Sequence, residues 1–383
     1  MNSSRFFKKQ FMRMCYILRD KKIKSVYFSA MGGKYSDNPK AISESLHKLA
    51  PEIEQIWLLN RNNEGYAPDY VHIVHPGTLM ALMKQAQSKV WVFNNTYRQR
   101  DGIYKGDEIY YIQTWHGDRG IKRIGYLTEY SKKANYNGQD LSKCNLFVVG
   151  SEYGEKKART GQKYEGEFSK VGMPRNDKLV NLSQYSDEVV GIKRSLGLDE
   201  EAKIMLYAPT FRDGIDQKQN CVIDITQSLN SLSSTGEKWI CLIRAHSASK
   251  GILYNGNEAI DVTSYPDMAD LLLIADLLIT DYSSCAGDFI LTGKPVILAH
   301  FDKEKYLKES RTLWVNPSEV GYLVANNQVE LDDILSNLSF YNHKSISEKI
   351  KKFYGSFETG RSSEYLAKKI VEEINKSVPR KSN

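Results

Sequence analysis

The stretch Asp276-Leu-Leu-Ile-Thr-Asp-Tyr-Ser-Ser-Cys-Ala-Gly-Asp288 reads as a short apolar strand that stops at a polar turn where a helix begins. Asp281, Ser283 and Ser284 occupy that turn, and Asp288 lies one turn into the helix, where it reads as one more surface acid. Two readings stand for the serines. They are a plain N-cap pair, or two hydroxyls at a helix start whose free N–H groups suit a phosphate.

Working outward, short apolar runs alternate with helical patterns. Lys24–Ala30, Ile53–Asn60, Val71–His75, Lys89–Asn95, Ile109–Thr114 and Leu146–Gly150 read as strands. Asp37-Asn38-Pro39 opens a helix running to about Leu49, and Thr78–Ser88 has a helical look. The polar region Leu182–Ala202 interrupts the alternation. It then restarts with strands at Lys203–Ala208, Trp239–Ile243, Ala259–Val262, Leu277–Thr280 and Lys294–Phe301, and helices at Met268–Ala275 and Ser362–Lys376. This pattern argues for an α/β protein with two doubly wound, Rossmann-like domains facing a cleft, where ligands bind at the carboxyl ends of the strands. The expected divisions are an arm over 1–23, a first domain over 24–185, and a second over 186–383 that includes the last helix. Residues 377–383 are expected to form a disordered tail.

The chain has 383 residues and a net charge of +7. Residues 1–24 hold eight Lys/Arg and one acid, so the whole excess lies in the arm. Phe7, Phe11, Met14 and Leu18 recur there at helical spacing. Such a helix either lies on an anionic membrane surface or packs its stripe on the protein's own core. Beyond the arm the charges balance, which argues against nucleic acid as a partner. No run of 18 apolar residues and no secretory signal appears. The five cysteines are scattered, which argues against a disulfide framework or zinc site and fits a reducing cytosol.

Five segments place polar residues after apolar strands: Thr114-Trp-His-Gly-Asp-Arg-Gly120, Gly172-Met-Pro-Arg-Asn-Asp177, Pro209-Thr-Phe-Arg-Asp-Gly214, Arg244-Ala-His-Ser247 and the opening stretch. Their recurrence at equivalent places in two sheets points to one site. His116 can serve as a general base at neutral pH, or as a turn histidine bonded to its own backbone. Gly117 and Gly120 let a backbone approach a ligand closely, while Asp118 and Arg119 read equally as loop charges. His116 and His246, Arg175 and Arg244, and the serine pair suit a pyrophosphate, with Ala245 between Arg244 and His246 counted as a substrate-binding position. No Walker-type loop occurs. His47, His72, His75, His300 and His343 lack such company and read as structural or surface residues.

These segments resemble the CDP-glycerol glycerophosphotransferase family of teichoic-acid and capsule polymer synthesis. Phe28–Ile42 (FSAMGGKYSDNPKAI) resembles its first-domain signature, Tyr111–Gly125 its QTWHGTPLKRLG segment, Val171–Asp177 its GxPRND, and Leu206–Arg212 its LYAPTWR. Asp261–Phe289 resembles the long block ending in LITDYSSxxxDF. The resemblance implies a fold of the glycosyltransferase B type. It implies transfer of glycerol phosphate, or of a related polyol phosphate such as ribitol phosphate, from a CDP donor to a hydroxyl of a lipid-linked polymer or primer. CMP would be released at the cytoplasmic face of the membrane, without a cofactor or protein-bound metal. It implies that His116 is the base and that Arg244 and His246 hold the donor phosphates. Arg175, Pro209, Thr210, Ser283, Ser284 and Asp288 would complete the donor site, with Gly117 to Gly120 beside the base. The chain departs from the family at Asp118-Arg119-Gly120-Ile121, where Thr-Pro-Leu is common, at Ser247, and at Cys285-Ala-Gly. These departures touch the acceptor and polyol rather than the reaction type. The length is expected to hold two catalytic domains and the arm only. A nucleotide-sugar transferase or epimerase of the same fold, and an inactive binder of anionic polymer, are the competing readings.

Overall fold

The computed structural model describes residues 3–95, 102–128, 141–210, 219–220, 223–233, 236–245, 252–253 and 259–376. The first sheet has seven strands: β1 (Ser25–Ser29), β2 (Glu54–Leu58), β3 (Val71–Val74), β4 (Val90–Phe93), β5 (Tyr110–Gln113), β6 (Leu146–Val148) and β7 (Glu167–Ser169). Their order is β3-β2-β1-β4-β5-β6-β7, and every pairing is parallel. The second sheet contains β8 (Lys203–Ala208), β10 (Trp239–Ile243), β12 (Ala259–Asp261), β13 (Leu277–Thr280), β14 (Val296–Ala299) and β15 (Leu323–Ala325), in the order β12-β10-β8-β13-β14-β15. Its pairings are parallel too. The two-residue strands β9 (Gln219–Asn220) and β11 (Ile252–Leu253) pair apart from both sheets. Parallel strands are covered on both faces, which is why the central ones are continuous apolar runs. Val26, Phe28, Val90 and Val92 are fully buried in one core, and Ile204, Leu206, Leu242 and Leu278 in the other.

The helices that position the site are α1 (Ser3–Ile17), α2 (Asp37–Leu49), α3 (Leu79–Gln87), α4 (Glu152–Gly161), α5 (Ser186–Ser195), α6 (Met268–Ile274), α7 (Cys285–Phe289) and α8 (Ser362–Asn375). Helix α8 was expected in the second domain. It packs instead on the first, with Leu366, Ala367, Ile370 and Ile374 in the core of Val26, Phe28 and Ile42. The strap before it carries the chain back: Phe357 N donates to Gly150 O (2.8 Å), and Ser362 N donates to the Asp177 carboxylate (2.9 Å). The segment after β5 crosses the other way. Ile121 joins the second core, and Trp314 N donates to Ile121 O (2.8 Å). The two domains are therefore interlocked at the end of β5.

Helix α1 turns Met12 and Cys15 inward with Phe11 against Ala86, Leu82 and Met83. Phe6, Phe7, Met14, Ile17 and Leu18 remain exposed, beside the exposed Arg5, Lys9 and Arg13. The expected stripe is thus divided: Phe11 packs on the first domain, while Phe7, Met14 and Leu18 stay exposed. No helix among the described residues is long and apolar enough to cross a membrane.

Candidate functional site

The turn after β5 carries Trp115, His116 and Gly117, all half-buried. Trp115 has φ +51°, a left-handed conformation that a bulky residue adopts only when its surroundings impose it. Gln113 Oε1 accepts from Trp115 N (2.8 Å). Asn38, fully buried, donates to Trp115 O (3.1 Å) and accepts from Arg175 N (3.1 Å). The His116 ring stacks on Trp115 with centroids 4.3 Å apart. Its Nδ1 lies 3.0 Å from Asn94 O. A carbonyl can only accept, so Nδ1 carries the proton and Nε2 holds the basic lone pair. Burial lowers the imidazole pKa. The Asn94 carbonyl and Asp37 pull it up, while Arg175 and Lys157 push it down, and the net direction is down. His116 is therefore neutral near pH 7, the form a general base requires.

The opening stretch delivers the other half. Strand β13 ends at Thr280, and the Asp281 carboxylate accepts from Thr210 N (2.9 Å), Thr210 Oγ1 (2.5 Å) and Tyr282 N (2.5 Å). This ties the Pro209–Thr210 turn, buried at the end of β8, to the serine turn. Tyr282 stacks on Tyr306 (3.7 Å) and on His300 (4.5 Å). His300 is thus a buried support beneath this turn. Ser283 and Ser284 are half-buried. The side chain of Ser284 makes no cap hydrogen bond, and Ser283 Oγ meets Cys285, at its N (3.4 Å) and its thiol. Helix α7 has five residues, so its macrodipole is small. The hydroxyls are what this turn presents.

The two turns touch. A Cβ on Gly120 would lie 3.1 Å from Ser284 Cβ, and one on Gly117 would lie 3.8 Å from Ser284 Oγ. A Cβ on Gly287 would meet Arg119 Cβ at 2.4 Å. Glycine at 287 is what lets the first domain's loop lie flat on α7.

Several predicted site residues take a different place from the one expected. Arg119 is fully buried. Its Nε donates to Gly287 O (2.7 Å), its Nη1 to Gly150 O (3.0 Å) and Asp118 (3.3 Å), and its Nη2 to Glu358. Asp118 is buried and accepts from Gly150 N (2.9 Å) and Ser151 Oγ (2.6 Å). Both are consumed by the domain junction, because a buried charge must be paired where it stands. Asp288 is buried rather than on the surface. It accepts from Arg175 Nη2 (2.9 Å) and Asn176 Nδ2 (3.0 Å). Arg175 is buried and also donates to His116 O (3.2 Å) and Asp37 (2.8 Å). Burial opposes its charge, but Asp288 and Asp37 outweigh this and raise its pKa.

Arg244, at the end of β10, is half-buried. Its Nη2 makes one long bond to Pro266 O (3.4 Å), and its Nη1 is buried without a partner among the described residues. Ala245 N is taken by Thr263 Oγ1 (2.9 Å). His246 lies outside the described residues.

The sequence reading did not single out Asn94, Lys157 or Glu358 as site residues. Lys157 is buried under the His116 turn and donates to Gly120 O (2.6 Å) and Gly117 O (3.4 Å). Burial pushes its pKa down to about 7. Glu358 accepts from Arg119, Asn176 Nδ2 (3.0 Å) and Met173 N (3.0 Å). Burial pushes its carboxyl up to about 7, against the pull of Arg119. No local signal marks these residues; only the fold brings each one beside the His116 loop or the domain junction. Among the described residues no group of His, Cys, Asp or Glu is arranged to hold a metal ion.

Comparison with known proteins gives the family and the fold. Residues 10–372 match the family described as CDP-Glycerol:Poly(glycerophosphate) glycerophosphotransferase. The chain is 30% identical to a teichoic acid poly(glycerol phosphate) polymerase of Staphylococcus epidermidis, over 94% of this chain, and spans about half (53%) of that protein's length. It is 28% identical to a teichoic acid glycerol-phosphate transferase of Staphylococcus aureus, covering 90% of this chain and 92% of that one. A solved structure of the wall teichoic acid polymerase TagF superimposes with a TM-score of 0.79 at 27% identity, over 96% of this chain and 94% of that chain. A UDP-GlcNAc 2-epimerase from Neisseria meningitidis shares the fold alone, with a TM-score of 0.53 at 10% identity over 91% of this chain and 100% of that one. The chain belongs to the CDP-glycerol:poly(glycerophosphate) glycerophosphotransferase family.

Proposed function

We propose that this chain transfers glycerol phosphate from CDP-glycerol to a terminal hydroxyl of a teichoic-acid-type polymer or primer, releasing CMP. The observation that carries the reading is the contact between the His116 turn and the Ser283–Ser284 turn. It brings Gly117 and Gly120, in the loop that carries His116, against Ser284 across the domain junction. His116 Nε2 takes the proton of the acceptor hydroxyl as that oxygen attacks the donor's glycerol-bearing phosphorus. The P–O bond to CMP breaks, and the electron pair leaves on CMP. Phosphoryl transfer of this kind needs positioning and charge stabilisation more than covalent help. Ser283 and Ser284 donate to the donor phosphates. Arg244 Nη1, buried and without a partner among the described residues, supplies a cation there. Lys34 adds a second from the first domain; burial and Arg244 lower its pKa. His246 completes the donor site on the strength of the family resemblance. Arg175, Asp288, Asp118 and Arg119 hold the two domains in register. Glycerol is favoured over ribitol because the glycerol-phosphate relatives reach 30% identity, against 24% for a ribitol-phosphate primase of Bacillus spizizenii.

The acceptor is lipid-linked, and the exposed apolar and basic residues of α1 lay the enzyme on an anionic membrane surface. The test is a donor panel of CDP-glycerol, CDP-ribitol and UDP-sugars with product mass analysis. CMP release with a gain of glycerol phosphate on the acceptor supports the reading. UDP release would overturn it.

A further inference from the structure

We infer that Asp37 is the positioning residue for His116, fixing both its ring and its main chain through one intermediate each. The inference rests on the reading of His116 as the base.

Asp37 is a non-glycine residue at φ +65°, a conformation that costs about 1–3 kcal/mol and persists only where contacts impose it. Its carboxylate accepts from Asn94 Nδ2 (2.8 Å), Arg175 Nη1 (2.8 Å) and Asn38 N (2.6 Å). On the first side, Asn94 is the residue whose carbonyl takes the His116 Nδ1 proton. Asn94 Oδ1 accepts from Met31 N (2.8 Å), so its side chain is pinned at both ends and its carbonyl is aimed. On the second side, Arg175 spans Asp37, the His116 carbonyl and Asp288 of the second domain. Ring orientation, tautomer and domain register therefore converge on one carboxylate.

The charge has a second effect. Asp37 from α2, Arg175 from the Pro174–Asn176 turn and Lys157 from α4 are the ionisable groups that act on the imidazole. Asp37 is the anion among them, and it favours the imidazolium that forms as the acceptor proton arrives. Without it, two cations oppose that proton. A carboxylate that only paired with Arg175 would support the fold and leave the base's titration alone.

The test is Asp37→Asn in the full chain, with CDP-glycerol and a glycerol-phosphate-terminated acceptor. Asn tolerates the left-handed backbone and keeps the side chain's shape. The expected result is a kcat loss of about 10- to 100-fold with KM for the donor little changed. The acidic limb of the kcat/KM profile moves to lower pH, and the His116 imidazole titrates lower by NMR. Where Asp37→Asn does not fold, Asp37→Gly keeps the backbone without strain, and added formate is expected to restore part of kcat. Wild-type kcat overturns the inference. So does a kcat loss with an unmoved acidic limb and no rescue, which is what a lost structural ion pair would give. His116→Ala separates the two claims. Full activity of His116→Ala would refute the base itself. An inactive His116→Ala beside a wild-type-like Asp37→Asn would refute only the inference about Asp37.

Discussion

Replacing Arg119 by Met tests whether this residue belongs to the domain junction or to the substrate. Its guanidinium is fully buried and paired to Glu358, Asp118, Gly287 O and Gly150 O. Methionine fills much of the volume but takes the guanidinium away from two buried carboxylates, Glu358 and Asp118. Breaking a buried pair in this way costs about 3–5 kcal/mol. Unfolding entropy near 2.1 cal/mol/K per residue gives a chain of 383 residues about 0.8 kcal/mol/K, so a 4 kcal/mol loss lowers Tm by about 5 °C. Thermal melts followed by circular dichroism measure this, with the donor KM determined well below the transition. A Tm within 1 °C of wild type, together with a raised donor KM, would refute the reasoning and return Arg119 to the substrate.

Other outcomes follow from the same geometry. His116→Ala lowers kcat by about 100- to 10,000-fold, and the wild-type acidic limb lies below the ordinary imidazole value of about 6.5, because burial lowers the His116 pKa. Glu358, raised to about 7 by burial, binds its proton more tightly folded than unfolded. Its contribution to stability is greatest below the unfolded carboxyl's pKa and is lost as pH rises to about 7. Glu358→Gln abolishes that loss, so urea midpoints of the variant gain on wild type between pH 5 and pH 7, by up to about 1.4 kcal/mol per pH unit. Ile370→Ala, in the helix that returns to the first core, costs about 2–5 kcal/mol by urea denaturation, despite lying at the far end of the chain. Phe7→Glu with Met14→Glu weakens sedimentation with anionic vesicles without lowering Tm, since both side chains are exposed; unchanged sedimentation would refute membrane binding by this face.

The strands were legible because both faces of a parallel sheet are buried, and buried strands announce themselves as apolar runs. The exceptions have local causes. Leu323–Ala325 is a three-residue edge strand, too short to leave a pattern. Helix α8 has an ordinary amphipathic face, and nothing in that face says which core it covers. The places of His116, Ser283 and Ser284, in turns that follow β5 and β13, were readable in the sequence. Asp118, Arg119 and Asp288 sit in the same turns; their residue types read as loop or surface charges, and only the family resemblance implied substrate contacts. The distinction depends on partners far away in sequence: Glu358 is 239 positions from Arg119, and Arg175 is 113 from Asp288. Asp37 was read as a helix start, which it is. Its left-handed backbone and its reach to Asn94 and Arg175 appear only once the fold closes.

Single-turnover reaction of the purified chain with CDP-glycerol and a glycerol-phosphate-terminated acceptor tests the central claim most directly. The predicted result is stoichiometric CMP with one glycerol phosphate added to the acceptor, dependent on acceptor and lost in His116→Ala. Equal CMP release by His116→Ala, or turnover of UDP-sugars with none of CDP-glycerol, would contradict it.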